Sequence, residues 1–350
     1  MSGKRIAICS AQIPFNYGGA EILVEELNQQ LRKRGFESEI INIPFKWYPK
    51  ERLIDEALIW NMTDITESNG EKIDLVICTK YPTYTVQHPN KVVWLFHQHR
   101  PVYDLLNTEY SEFSKKSDDL RIINHIRDID NKFLGQAKKI FSISQNVTNR
   151  LRKFNDIESE VLYPPTKLDG SYKQGKNHKY IFSAGRLDPL KRVELLIQAL
   201  KYIDKDYKLV VAGKGKHEEN LRKLVHEEGH EDRVVFAGFV TDEELVNYYA
   251  NASVIYFAPM DEDYGFITIE SFKSGKPVVT TTDSGGVLEF VKHNVNGLVL
   301  EPDPKTIGIE INHLLQQNDV LESMGEKGME TVQNINWDYV IEKLTSTLNS

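Results

Sequence analysis

The first apolar run of the chain, Lys4 to Ser10 (KRIAICS), is continuous rather than alternating, which suits a strand of a parallel sheet covered on both faces. After a loop, Gly18-Gly19-Ala20-Glu21 opens a segment in which Ile22, Leu23, Leu27 and Leu31 recur at helical spacing to about Arg34, and Gly35 ends it. Glu37 to Ile43 reads as a second strand, so the chain begins with the strand, glycine loop, helix and strand of the doubly wound class. Further strands are predicted at Ile73 to Thr79, Lys91 to Phe96 and Lys139 to Ser144. Helices are predicted from about Pro49, across residues 103–138 as one or two long segments, and over Gln145 to Lys153. Val161 to Tyr163 runs into Pro164-Pro165, which forbid its continuation and stiffen the turn. A polar, loosely patterned stretch follows to about His178.

The same alternation restarts at Tyr180. Strand Tyr180 to Ala184 is followed by a helix with Val193, Leu196, Ile197 and Leu200 on one face, then by strand Lys208 to Ala212, helix Glu218 to Glu228 and strand Val234 to Ala237. Thr241 and Glu244 have the spacing of a capping box for a helix carrying Leu245, Tyr248 and Tyr249. A strand at Val254 to Phe257, a loop, a helix, a strand at Pro277 to Thr281 and a glycine turn come next. Helices over Thr306 to Gln317 and, with Trp337, Val340, Ile341 and Leu344 on one face, over Asn336 to Leu348 close the chain. The predicted fold class is α/β with two doubly wound domains meeting near residue 165.

Composition adds little beyond bounds. The 350 residues suffice for two ordinary cores, and 40% hydrophobic with 27% charged residues is the balance of a globular protein. No run reaches the apolar length of a membrane span and the N-terminus enters a strand directly, so a cytoplasmic protein is expected. Cys9 and Cys78, both in predicted buried strands, read as reduced core thiols. The net charge of −8 falls wholly in the second half: residues 1–165 carry 22 basic and 22 acidic side chains, residues 166–350 carry 21 and 29. That balance does not describe a nucleic-acid binder. The mixed-charge stretch 103–138 could touch an anionic membrane as a basic amphipathic helix, although a solvated helix face is the plainer reading.

The candidate chemistry centres on Tyr256 to Gly286. Glu262 lies in the loop and Glu270 eight residues on, in the predicted helix. Gly265 falls at the helix start, where unpaired backbone N–H groups and the positive end of the helix dipole suit a phosphate. Read blandly, Glu270 makes a surface pair with Lys273 and Glu262 is one loop acid among Asp261 and Asp263. Arg186 and Lys191 flank a strand-to-helix turn and could hold a diphosphate, or be exposed cations near Asp188 and Glu194. His97 follows a strand where parallel sheets bind ligands, with His99 in reserve. Gly18-Gly19 could be a tight turn, and Gly213-Lys214-Gly215 usually is.

The stretch EDYGFITIESFKSGKPVV resembles the E-x7-E signature of the family 4 retaining glycosyltransferases, and Gly185-Arg186-Leu187 through Lys191 resembles that family's G-R-L-x-x-x-K motif. The likeness extends over nearly the whole chain. It implies a GT-B fold, two Rossmann-like domains facing across a cleft, with a terminal helix crossing back: residues 1–165 plus about 336–350 for the acceptor, and 166–335 for the donor. It implies glycosyl transfer from a UDP- or GDP-linked sugar to a saccharide or lipid-linked acceptor, with configuration kept, no resident cofactor and no metal. By this resemblance Glu262, Arg186, Lys191 and His97 act on the transferred sugar and leaving diphosphate. Glu270 takes the ribose, Gly265, Phe266 and Ile267 give helix-start amides, Gly18 and Gly19 lie beside the phosphates, and Phe239 and Val240 face the base. Arg192 stands where many members have glycine. A sugar-nucleotide epimerase, a glycosidase using the Glu pair, and a catalytically silent nucleotide-sugar sensor are the competing readings.

Overall fold

The computed structural model describes residues 3–348 and falls into two compact units, Met1–Lys167 with Asn336–Ser350, and Leu168–Ile335. In the first unit the chain runs β1 (Arg5–Gln12), α1 (Gly19–Lys33), β2 (Glu37–Pro44), α2 (Arg52–Met62), the short ribbon β3 and β4 (Glu67–Ser68, Glu71–Lys72), β5 (Leu75–Lys80), β6 (Lys91–His97), α3 (Ser117–Leu134), β7 (Lys139–Ser142), α4 (Gln145–Asn155) and β8 (Glu160–Val161). The strands of its main sheet are parallel in the order β2-β1-β5-β6-β7-β8. The apolar runs lie in the middle of that sheet, where Ile8, Leu75, Ile77, Val92, Val93 and Trp94 are fully buried. Each such aliphatic side chain contributes about 1.5–3 kcal/mol by leaving water. Cys9 and Cys78 are adjacent across β1 and β5 as buried free thiols. The terminal helix Trp337–Thr345 packs in this unit, its Trp337 ring edge-on to Trp94 with centroids 6.3 Å apart and Lys343 Nζ 2.6 Å from Glu160.

One expectation fails here. Residues 103–116 are turns, and only Ser117–Leu134 forms an α-helix. The backbone N–H and hydroxyl of Ser114 both donate to Asp119, which also takes Lys50 Nζ at 2.9 Å. These local bonds hold the chain in a turn that a charge-rich helical pattern does not reveal.

The second unit runs β9 (Tyr180–Ala184), α5 (Val193–Ala199), β10 (Lys208–Ala212), α6 (Glu218–Glu227), β11 (Val234–Gly238), α7 (Asp242–Asn251), β12 (Val254–Tyr256), α8 (Phe266–Lys273), β13 (Val278–Thr281), β14 (Gly297–Leu300), α9 (Pro304–Leu315) and α10 (Asn318–Val332). Its parallel sheet has the order β11-β10-β9-β12-β13-β14. Thr241 and Glu244 form the capping box of α7. Helix α10 was not expected, because Gly325 and Gly328 break its pattern. A Cβ at Gly325 would lie 2.1 Å from the Gly275 carbonyl oxygen, and one at Gly328 would lie 2.5 Å from the Phe272 ring. The glycines that lower its helix propensity are the ones that let it pack closely at α8.

In both sheets successive strands are added first to one side of the founding strand and then to the other. The reversal falls between β1 and β5 in the first unit and between β9 and β12 in the second. Open α/β sheets bind ligands just past the carboxyl ends of the strands at such a point. Among the described residues no helix is long and apolar enough to cross a membrane.

Candidate functional site

In the second unit the turn after β9 meets the loop after β12. Gly185 has φ 121° and its amide donates to the Ala212 carbonyl at 3.0 Å. A Cβ at Gly213, also at φ 121°, would fall 1.9 Å from the Gly185 oxygen, so Gly213 marks a contact of two backbones rather than an ordinary turn. Arg186 follows, its Nε donating to Asp188, with more than half of its side chain exposed. The Asp188 carbonyl accepts the Lys191 amide at 2.9 Å and closes the turn. From there the Lys191 ammonium makes an ion pair with Glu262, 71 residues away in sequence, and sits 5.4 Å from the centroid of the Phe257 ring. The structure thus joins Lys191 to Glu262, and leaves Arg186 in the same turn but tied to Asp188.

Backbone hydrogen bonds seat Glu262. Asp261 has the left-handed φ of 44°, and its amide donates to the Asp283 carbonyl at 2.9 Å. The Glu262 amide reaches Ser284 at 3.3 Å, and the Glu262 carbonyl accepts from Gly286 at 2.7 Å. A Cβ at Gly285 would lie 2.6 Å from the Glu262 oxygen, and one at Gly286 would lie 2.5 Å from that of Asp263. The paired glycines after β13 are therefore a seat for Glu262. Gly265, at φ 89°, turns the chain into α8, which has no side-chain cap, so its first turn presents Phe266 and Ile267. A Cβ at Gly185 would be 3.2 Å from Ile267 Cδ1, which places the start of α8 against the β9 turn.

Glu270 is the fifth residue of α8. Lys273 is not its partner; that lysine pairs with Asp169. The Tyr249 hydroxyl donates to Glu270 Oε2 at 2.7 Å. Burial pushes the Glu270 pKa above the ordinary glutamate value, hydrogen bonds from Tyr249 and Tyr172 pull it down, and Asp242 adds to the rise. Phe239, 82% exposed, and Val240, half-buried, follow the end of β11, two strands from β9 along the same edge. The two tyrosines were missed: Tyr249 reads in the sequence only as an apolar position of α7.

In the first unit Gly18 and Gly19 sit where α1 begins. Gly18 is extended at φ −154°, and its amide donates to Glu21 Oε2 at 3.0 Å. The other carboxylate oxygen of Glu21 receives Lys80 Nζ, also at 3.0 Å, in a largely buried pair. Lys80 ends β5 beside His97, the last residue of β6, at the point where this sheet reverses. His97 Nδ1 is 2.8 Å from the Gln98 carbonyl. His99 Nε2 is 3.2 Å from Glu112, with its ring against Tyr81 and Phe113. The Glu21–Lys80 pair was also missed, since 59 residues separate its members in sequence. Among the described residues no group of three or more His, Cys, Asp and Glu side chains is placed to hold a metal ion.

The sequence profile of the glycosyl transferases group 1 family matches residues 166–331. An alpha-1,3/1,6-mannosyltransferase of Homo sapiens is 25% identical over 299 residues, 75% of this chain and 70% of that protein. A GDP-mannose-dependent alpha-(1-6)-phosphatidylinositol monomannoside mannosyltransferase of Mycobacterium tuberculosis is 35% identical over 175 residues, 47% of this chain and 45% of that protein. The chain spans about half the length of several of the curated relatives it matches. The solved structure of a sucrose-phosphate synthase from Thermosynechococcus elongatus superposes with a TM-score of 0.81 at 18% identity, covering 99% of this chain and 98% of that one.

Proposed function

For a chain that belongs to the group 1 glycosyltransferases and has the GT-B fold, we propose retaining transfer of a hexosyl group from a UDP- or GDP-linked sugar to a saccharide or lipid-linked acceptor. The observation that carries this reading is the convergence of Lys191 and Glu262 at the reversal point of the second sheet, beside the uncapped start of α8. Breaking the bond between sugar and phosphate leaves negative charge on the diphosphate and positive character on the sugar. Lys191, Arg186 and the α8 amides at Gly265, Phe266 and Ile267 answer the first as it develops. Glu262 orients hydroxyls of the sugar, and Glu270 accepts from the ribose. The backbone at Phe239 and Val240 faces the base. In the first unit, the Gly18-Gly19 loop and His97, past the strand ends of that unit's own sheet, are proposed to serve the acceptor. Fixed cations do the work that a metal does in other transferases, and no protein nucleophile is invoked. The mannosyl relatives make a mannosyl donor the first to try.

The test is a thermal-shift screen against UDP- and GDP-linked sugars, because a ligand that binds the native state raises its apparent stability by mass action. The donor so found is then assayed for transfer, and K191A is expected to lower turnover at least a hundredfold without unfolding the protein. Near-normal turnover in K191A, or no response to any sugar nucleotide, overturns the reading. Isomerised donor without acceptor would point instead to an epimerase.

A further inference from the structure

The geometry points to Arg192 as a positioning residue: its guanidinium fixes the turn bearing Lys191 to both loops that hold Glu262. The inference rests on the reading of Lys191 and Glu262 as the donor-handling pair. Arg192 is a non-glycine residue in the left-handed region, φ 51°, ψ 42°, between the Lys191 turn and the first residue of α5. Its side chain, 13% exposed, makes five hydrogen bonds. Nε donates to the Ala258 carbonyl and Nη2 to the Pro259 carbonyl, both at 2.9 Å, on the segment that leads from β12 to Glu262. Nη1 and Nη2 grip the two oxygens of Asp283 at 2.7 Å, and Nη2 also reaches Thr281 Oγ1 at 2.8 Å.

Asp283 is the residue whose carbonyl takes the Asp261 amide, and it opens the Ser284–Gly286 seat under Glu262. Arg192 therefore joins, through one planar group, the cation of the pair and the two backbone segments that position its acid. The fork geometry matters, because five donors in one plane match a carboxylate and two carbonyls at once. Arg192 is assigned no contact with the ligand: Nε, Nη1 and Nη2 all bond inside the protein.

Glycine adopts φ 51° freely, so R192G keeps the turn and deletes only the staple. Binding of UDP and GDP to the full chain is measured by calorimetry, and turnover with the donor found above. R192G is expected to weaken nucleoside diphosphate binding and to lower kcat by roughly ten- to a hundredfold, with a melting temperature close to wild type. Guanidinium ion at non-denaturing concentration should restore R192G and leave K191A unrestored. R192K, which has an ammonium in place of the fork, should stay impaired. Should R192G not fold, D283N, which keeps the shape but loses the charge of the partner, carries the same test on binding and kcat. Wild-type binding and turnover in R192G or D283N beside an impaired K191A would overturn the positioning role alone. Losses in R192G or D283N that follow the folded fraction, or in R192G that guanidinium does not relieve, would make the role structural and overturn it too. An active K191A would instead sink the donor reading beneath it.

Discussion

Replacing Gly285 by alanine should separate the seat of Glu262 from the stability of the fold. Gly285 has φ 62° and ψ −127°, a conformation that costs an L-residue about 1–3 kcal/mol. The new Cβ would also stand 2.6 Å from the Glu262 oxygen, 2.8 Å from its nitrogen and 2.7 Å from Asp261 Oδ1. Two of these three atoms are backbone and cannot swing aside. Restoring an ordinary contact distance moves the Glu262 backbone by about 0.8 Å, and a displacement near 1 Å at a reacting site costs on the order of a hundredfold in rate. The expected cost in stability is about 2–4 kcal/mol. Gly229 gives the control: it has a similar φ of 68°, but a Cβ there meets nothing within 4 Å. G229A should lose about 1 kcal/mol and no activity. The assay is release of nucleoside diphosphate from the donor identified by thermal shift, with melting curves on the same preparations. G285A turning over within twofold of G229A, with both folded, would refute the claim that the glycine pair exists to hold Glu262.

Three further outcomes follow from charge. Because burial raises the Glu270 pKa, its carboxylate should protonate above the ordinary glutamate range, so nucleotide affinity should fall as pH drops through that raised value; in E270Q, calorimetric titrations across pH should lose this component. Asp130 is fully buried, accepts from Tyr84 and Tyr103 at 2.7 Å each, and is pushed up to about 7 by burial. An acid raised in the fold keeps a proton that the unfolded chain releases, so the stability it adds is complete below about pH 4 and is lost as pH rises to 7, up to about 4 kcal/mol in all. D130N should remove that slope, read by urea unfolding with tryptophan fluorescence, since Trp47, Trp60, Trp94 and Trp337 all lie in the first unit. In E262Q, Lys191 loses its charged partner, so free UDP or GDP should bind tighter than to wild type while transfer falls; weaker nucleotide binding would contradict the pairing.

The sequence carried the elements well because both sheets are parallel. Runs such as Ile6 to Cys9 and Leu209 to Ala212 are buried on both faces, and a continuous apolar run is the plainest pattern a chain can show. It also carried most of the candidate site, since Arg186, Lys191, Glu262 and Gly265 lie in short loops just past strand ends. What it could not carry was pairing between distant segments. Nothing local tells that Lys191 meets Glu262, or that Glu270 is held by Tyr249 rather than by the nearby Lys273. Spacing along a helix favoured Lys273; the fold brought Asp169 to it first. Gly213 was weighed as an ordinary turn because the 1.9 Å approach that excludes a Cβ exists only once β9 and β10 are side by side.

The pairing of Lys191 with Glu262 has a consequence for selectivity. On the proposed reading Lys191 awaits a diphosphate; its side chain is only 21% exposed, and until a ligand arrives Glu262 balances its charge. If a phosphate takes over Lys191, as proposed, it releases Glu262, which must find new donors or be left as an unsatisfied acid. On that reading inorganic phosphate or a bare nucleotide would satisfy the lysine and strand the glutamate, whereas a sugar nucleotide would bring hydroxyls and satisfy both. Such an exchange works only if the two residues keep their separation when the ion pair opens, so something other than the pair must hold the frame. Arg192 meets that need at the cost of a left-handed residue, about 1–2 kcal/mol, against four engaged N–H groups whose hydrogen bonds contribute about 0.5–1.5 kcal/mol each. Glycine at this position would be free of the backbone cost but would leave the Lys191 turn and the Glu262 loop to drift apart once the donor parts them.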